Sequence, residues 1–111
     1  MLHKKHVLMF HGGSLEKEFF GGRTWWTPDY YFALDYAAND GLLYATLVHS
    51  SEEDVCYANE SDYDDCETSE DLWEEQARQV DWALKNGYSI FEDGDGFCLD
   101  HKNRKIRQLN V

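Results

Sequence analysis

At 111 residues the chain has room for one domain, residues 1–111, built on one hydrophobic core. Aromatic residues make up 15% of it, with four Trp and seven Tyr, a content that excludes a disordered chain in spite of 29% charged residues. The formal net charge of −12 excludes unassisted binding to DNA, RNA or an anionic membrane, because phosphate contacts need a basic stripe, and it leaves a basic protein partner open.

Cys56, Cys66 and Cys98 are an odd number with no Cys-x-x-Cys pair, which supports neither a disulfide framework nor a zinc ribbon and predicts reduced thiols. Lys4 and Lys5 precede only Val7 to Phe10 as an apolar run, too short for a signal segment or a membrane span. These features predict a soluble, cytoplasmic protein.

In chain order, Val7 to Phe10 reads as a buried strand delivering His11 onto the Gly12-Gly13 turn, followed by a glycine-bounded loop to Gly22 with Glu16, Lys17 and Glu18 exposed in it. Thr24 to Thr27 reads as a second short strand. Pro28 suits the first helical position with Thr27 as N-cap, and Tyr31, Leu34 or Asp35, and Ala38 recur at helical spacing before Asn39-Asp40-Gly41 stops the helix. Leu42 to Val48 is nearly continuously apolar, which predicts a central strand buried on both faces.

Half of residues 52–75 are Asp or Glu and none is Lys or Arg, so self-repulsion predicts an irregular, extended loop until Thr68 or Ser69 caps a second helix. This tract is either a solvated loop or a docking surface for a basic partner. In the helix, Trp73, Ala77, Val80 and Leu84 form an apolar stripe, with Trp73 and Trp82 expected to pack. After Asn86-Gly87, Tyr88 to Phe91 and Phe97 to Leu99 flank a Glu92-Asp93-Gly94-Asp95-Gly96 turn, a hairpin signal, and Ile106 to Val111 forms a last strand. The fold class is α+β, with two packed, antiparallel-rich sheets and two main helices.

The first two strands predict a pocket. Glycines after His11 leave backbone N–H and C=O groups uncovered for a ligand, and Trp25 and Trp26 offer flat faces for a planar ring. No metal spacing is visible at His3, His6 or His101, and no EF-hand glycine and distal glutamate follow Asp62 to Asp65 or the late turn.

The order of these pieces resembles the ADP-ribosyltransferase fold, in the branch that uses a His, an aromatic and an acidic residue on three separate strands. His11-Gly12-Gly13 resembles that family's first-strand His-Gly, and Trp25-Trp26-Thr27 followed by Ala33 and Tyr36-Ala37 resembles its Tyr-Phe-Ser strand and Ala-x-x-Tyr-Ala helix. Asn86-Gly87-Tyr88 through Leu99-Asp100 resembles its late strands. The small phage-encoded members that act as anti-CRISPR proteins are similar in size and in using an Asp as the acid. The resemblance implies an NAD-dependent mono-ADP-ribosyltransferase whose basic protein target is of the kind of a CRISPR effector subunit in the host cytoplasm. NAD is then a substrate.

The resemblance implies catalytic roles for Asp95, His11 and Trp25, with Glu92 and Asp93 as close competitors of Asp95. It implies NAD binding by His11, Gly12, Gly13, Arg23, Trp25, Trp26 and Thr27. His11 would hold a ribose hydroxyl, Gly12 the nicotinamide amide, and Trp25 would stack on the ring. Arg23, with Lys17 as second choice, suits the pyrophosphate because guanidinium pairs bidentately with phosphate oxygens. The chain lacks the Ser-x-Ser strand of the arginine-modifying branch, which argues against arginine as acceptor. The competing reading is a non-enzymatic acidic inhibitor that imitates nucleic-acid charge and blocks a basic groove.

Overall fold

The computed structural model describes residues 6–15, 23–49, 55–94, 96–100 and 104–110. Its elements in order are β1 (His6–Gly12), β2 (Arg23–Trp26), α1 (Tyr30–Ala37), β3 (Leu43–His49), β4 (Val55–Tyr57), α2 (Glu60–Asp64), α3 (Ser69–Lys85), β5 (Ile90–Asp93), β6 (Gly96–Asp100) and β7 (Ile106–Leu109). Residues 16–22 of the first loop, Asp95 and the 101–103 turn lie outside the described residues.

Two sheets form, a three-stranded one ordered β1-β3-β7 and a four-stranded one ordered β2-β6-β5-β4. All pairings are antiparallel except β4 with β5. Strand alternation sorts the buried side chains into three layers. Met9 and Val48 from the first sheet meet Trp26, Ile90, Phe97 and Leu99 from the second, a core between the sheets. Phe10, Leu43 and Leu109, on the opposite side of the first sheet, pack under Ala33 and Ala37 of α1. Phe91 and Cys98, on the opposite side of the second sheet, pack under Val80 and Ala83 of α3. The order of layers is therefore α1, first sheet, second sheet, α3. Burying a large apolar side chain of this kind contributes ~1.5–3 kcal/mol.

Several sequence expectations are corrected. The N-cap of α1 is Asp29 rather than Thr27: its side chain accepts from the N–H of Tyr31 and Phe32, while the Thr27 hydroxyl accepts from the Asp29 N–H. A carboxylate reaching two orphan amides displaces the start by two residues. Asp29→Ala should therefore lower stability by about 1 kcal/mol in denaturant unfolding. The buried face of α1 is Tyr30, Ala33, Leu34 and Ala37, and Tyr31 is exposed. Strand β3 is central in its sheet but not buried on both faces, because α1 covers only one end of the outer side and leaves Leu47 and its cross-strand partner Leu8 exposed.

In α3 the N-cap is Thr68, whose hydroxyl accepts from Asp71 N–H. Of the expected stripe Val80 is buried, beside Ala83, whereas Trp73 and Leu84 are exposed by 68% and 42%, and Trp82, also expected to pack, by 54%. The acidic tract is not one irregular loop. It contains β4, paired in parallel with β5, and α2, tied to α3 by Asn59 N–H donating to Gln79 Oε1 at 2.8 Å and Gln79 Nε2 donating to Asn59 O at 3.1 Å. Glu92 and Asp93 belong to β5, because the ladder continues to Asp93 opposite Gly96. Among the described residues no helix is long and apolar enough to cross a membrane.

Candidate functional site

Where the two sheets diverge, one main-chain bridge among the described residues joins them. Phe10 N–H donates to Thr27 O at 2.7 Å and Thr27 N–H donates to Phe10 O at 2.9 Å, after which Pro28 carries the chain away into α1. Beyond this bridge lies a cleft of about 1200 Å³, lined by the end of β1, by β2, by one side of α1 and by the β5-β6 hairpin. It exceeds the ~300–1,000 Å³ of drug-sized pockets and has room for a dinucleotide.

His11 follows Val7 and Met9 on the inner side of the first sheet, and its ring lies 5.4 Å from that of Trp26. Nδ1 is 2.7 Å from the carbonyl oxygen of Trp25. Both ring nitrogens have carbonyl oxygens as neighbours, which only accept, and the much shorter Nδ1 contact is assigned the proton of the neutral ring. Nε2 stands 3.4 Å from the Ser14 carbonyl, at the long limit of an interaction, and in this tautomer carries a lone pair able to accept from a ligand hydroxyl.

Main-chain direction in β1 gives a second feature. The N–H and C=O of Phe10 face β2, and the Gly13 N–H donates to Leu42 O at 2.8 Å on the β3 side. Alternation along the strand then turns the N–H and C=O of Gly12 to the same side as those of Phe10, level with Trp25 in the register of the bridge, where the strands no longer pair and the cleft opens. No hydrogen bond to another described group occupies them. The helix fits here only because residue 12 lacks a side chain, since a Cβ would stand 1.9 Å from the Ala33 carbonyl oxygen. Gly13 has φ +103 with open space around it.

The two tryptophans divide by strand parity. Trp26 is 2% exposed, donates from Nε1 to Thr24 Oγ1 at 2.8 Å and forms the wall behind His11. Trp25 turns its ring to the α3 side, 6.3 Å from Phe91, and reaches His11 through its carbonyl. The expected ring-stacking place of Trp25 is thus taken up by packing against the α3 layer. An open aromatic face comes instead from α1, where Tyr36 is 59% exposed, lies against Phe32 at 5.4 Å and borders Gly12. The sequence signal for it was the Tyr36-Ala37 pair: Ala37 packs under the helix and Tyr36, its neighbour, reaches the cleft.

Glu92 pairs with Phe97, which pairs in turn with Trp26. These three therefore share the inner side of the second sheet, opposite the sheet that carries His11. Asp93 points the other way, where its Oδ2 accepts from Gln76 Nε2 at 2.7 Å and Tyr63 OH lies at 3.5 Å. Both carboxylates line the cleft. Asp95 lies outside the described residues, and so do Lys17 and the side chain of Arg23, whose backbone opens β2 opposite Asp100. The described lining carries Asp29, Asp40, Glu92 and Asp93 but no Lys or Arg.

The Cys56 and Cys66 thiols are held toward their protonated form. Burial pushes Cys56 above the ordinary thiol range, and burial followed by the carboxylates of Glu75, Asp71, Asp65 and Asp62 does the same to Cys66. Among the described residues no group of His, Cys, Asp or Glu has the arrangement of a metal site. No family model, no curated protein and no solved structure matches the chain.

Proposed function

We propose that the protein is an NAD-dependent mono-ADP-ribosyltransferase acting on a basic protein target. The observation that carries this reading is the shared cleft in which His11 from one sheet and Glu92 from the other face inward beside the Gly12 main chain. NAD is the substrate. Gly12 N–H and C=O pair with the nicotinamide amide, which accepts and donates once each. Tyr36 stacks on the ring, and His11 Nε2 accepts from a ribose hydroxyl.

When the nicotinamide–ribose bond breaks, its electron pair leaves with the nicotinamide nitrogen and the ribose carbon and ring oxygen share the positive charge. A carboxylate at Glu92 meets charge that exists only in the transition state, as glycosidases do at the same kind of carbon. The acceptor nucleophile then closes the ribose bond and loses its proton. Arg23 remains the proposed anchor for the pyrophosphate. The family resemblance makes a CRISPR effector subunit the first target to try.

Calorimetry with NAD, together with incubation of the protein with labelled NAD and a lysate, tests the reading. Heat of binding, a change in tryptophan fluorescence and release of free nicotinamide are the expected results. Absence of heat, fluorescence change and nicotinamide at millimolar NAD would favour the charge-mimic reading that the net charge of −12 supports.

A further inference from the structure

We propose that the outward flank of α3 carrying Trp73, Ala77 and Leu84 is a docking strip for a basic amphipathic helix of a partner protein. In the sequence, Trp73, Ala77, Val80 and Leu84 follow a four-three-four spacing, the seam pattern of helix pairing. The fold uses only part of that seam. Val80 turns into the second sheet, whereas Trp73 is 68% and Leu84 42% exposed.

At about 100° per residue, Trp73, Ala77 and Leu84 lie within about 40° of one another, and Glu70, Asp81 and Glu74 follow on the solvent side of them. The opposite flank of α3 is already occupied. There Glu75, Arg78 and Gln79 meet α2 and Asn59, through Arg78 with Asp62 at 3.6 Å and the Gln79–Asn59 bonds. Among the described elements, no helix lies beside α3 on the Trp73 flank. The strip runs for roughly 16 Å, three helical turns, enough for one partner helix laid alongside.

Charge decides the occupant. Glu70 and Glu74 are exposed, no Lys or Arg occurs between residues 52 and 77, and the nearby Lys85 is engaged with Asp81 at 2.8 Å. A second copy would set the same acids against each other on a chain of net charge −12. A helix with an apolar seam flanked by Lys or Arg buries Trp73, a residue type enriched at binding hot spots, and pairs the acidic border. The inference does not depend on the NAD reading, and its assay contains no NAD.

The probe is a synthetic amphipathic helix with Leu along its seam and Lys flanking it, compared with a Leu/Glu counterpart and titrated by calorimetry. Binding of the Lys peptide only is expected. Trp73→Ala should weaken it by about tenfold or more, and Glu70→Lys with Glu74→Lys should slow association and flatten its salt dependence. Trp82→Ala, at a second exposed tryptophan on the far flank, should change affinity by less than about twofold. Equal losses at both tryptophans, or no loss at Trp73, would overturn the proposal. So would binding of the Leu/Glu peptide, a dimer in ultracentrifugation that Trp73→Ala dissolves, or a free protein in which acrylamide cannot reach Trp73. Circular dichroism of each variant checks that α3 is intact.

Discussion

Glu92→Gln is expected to lower nicotinamide release from NAD by at least about 100-fold while changing NAD affinity by no more than about threefold. The argument is one of timing. The ground-state ribose carries little of the charge that appears as the nicotinamide leaves, so a carboxylate facing it contributes to the rate rather than to binding. Gln keeps the size and the strand position and removes only the charge. Asp93→Asn should cost less, about tenfold, because Asp93 lies on the opposite side of β5 and acts through the hydrogen bond from Gln76 that ties the hairpin to α3. His11→Ala should weaken both binding and turnover, since its ring meets a ribose hydroxyl in both states. Single-turnover nicotinamide release beside NAD calorimetry separates the cases. If Asp95→Ala shows the rate-only loss and Glu92→Gln does not, the acid sits at the hairpin turn and not on the strand.

Much of the architecture was legible because its signals are local. Glycine and asparagine punctuation marked the ends of α1 and α3, the Thr68-Ser69 pair was readable as a cap, and the Asp-Gly run marked the β5-β6 hairpin. What escaped the sequence depends on distant partners. Strand β4 has three residues and is held by parallel pairing with β5, some 35 positions away, a contact that no local pattern encodes. Helix α2 is five residues long and leans on Gln79. The face of α3 was misread because the side turned to the protein carries Gln76 and Gln79, whose amides are spent on Asp93 and Asn59; hydrophobic periodicity counts such residues as outward.

The site shows the same division. His11 and the Gly-Gly turn stand out in one dimension, but which of two adjacent tryptophans faces the histidine is a matter of strand parity, and parity is set by the pairing of β2 with β6. Likewise Glu92 and Asp93 are adjacent acids in sequence, separated in space by the pleat. Their roles divide only once the register Glu92 to Phe97 is known. The ring of Trp25 packs instead into the layer formed by Val80, Ala83, Phe91 and Cys98.

Gly12→Ala is expected to be the most destabilising conservative substitution in the chain, lowering the thermal midpoint by more than about 10 °C, equivalent to about 3 kcal/mol or more at this size. The added Cβ would stand 1.9 Å from the Ala33 carbonyl oxygen and 2.9 Å from both the Ala37 nitrogen and the Tyr36 Cβ. Backbone on both sides cannot give by rotating, so α1 must lift from the first sheet and uncover Ala33, Ala37 and Leu43. Gly13→Ala provides the contrast. Among the described residues nothing lies within 4 Å of its would-be Cβ, and the φ of +103 is what opposes it. That strain costs about 1–2 kcal/mol without moving the helix. Thermal unfolding of the two variants therefore distinguishes close approach from backbone conformation as the reason for glycine. A Gly12→Ala protein as stable as the parent would mean that α1 does not lie against β1, and the Gly12 main chain would then not be held at the cleft beside His11 and Tyr36.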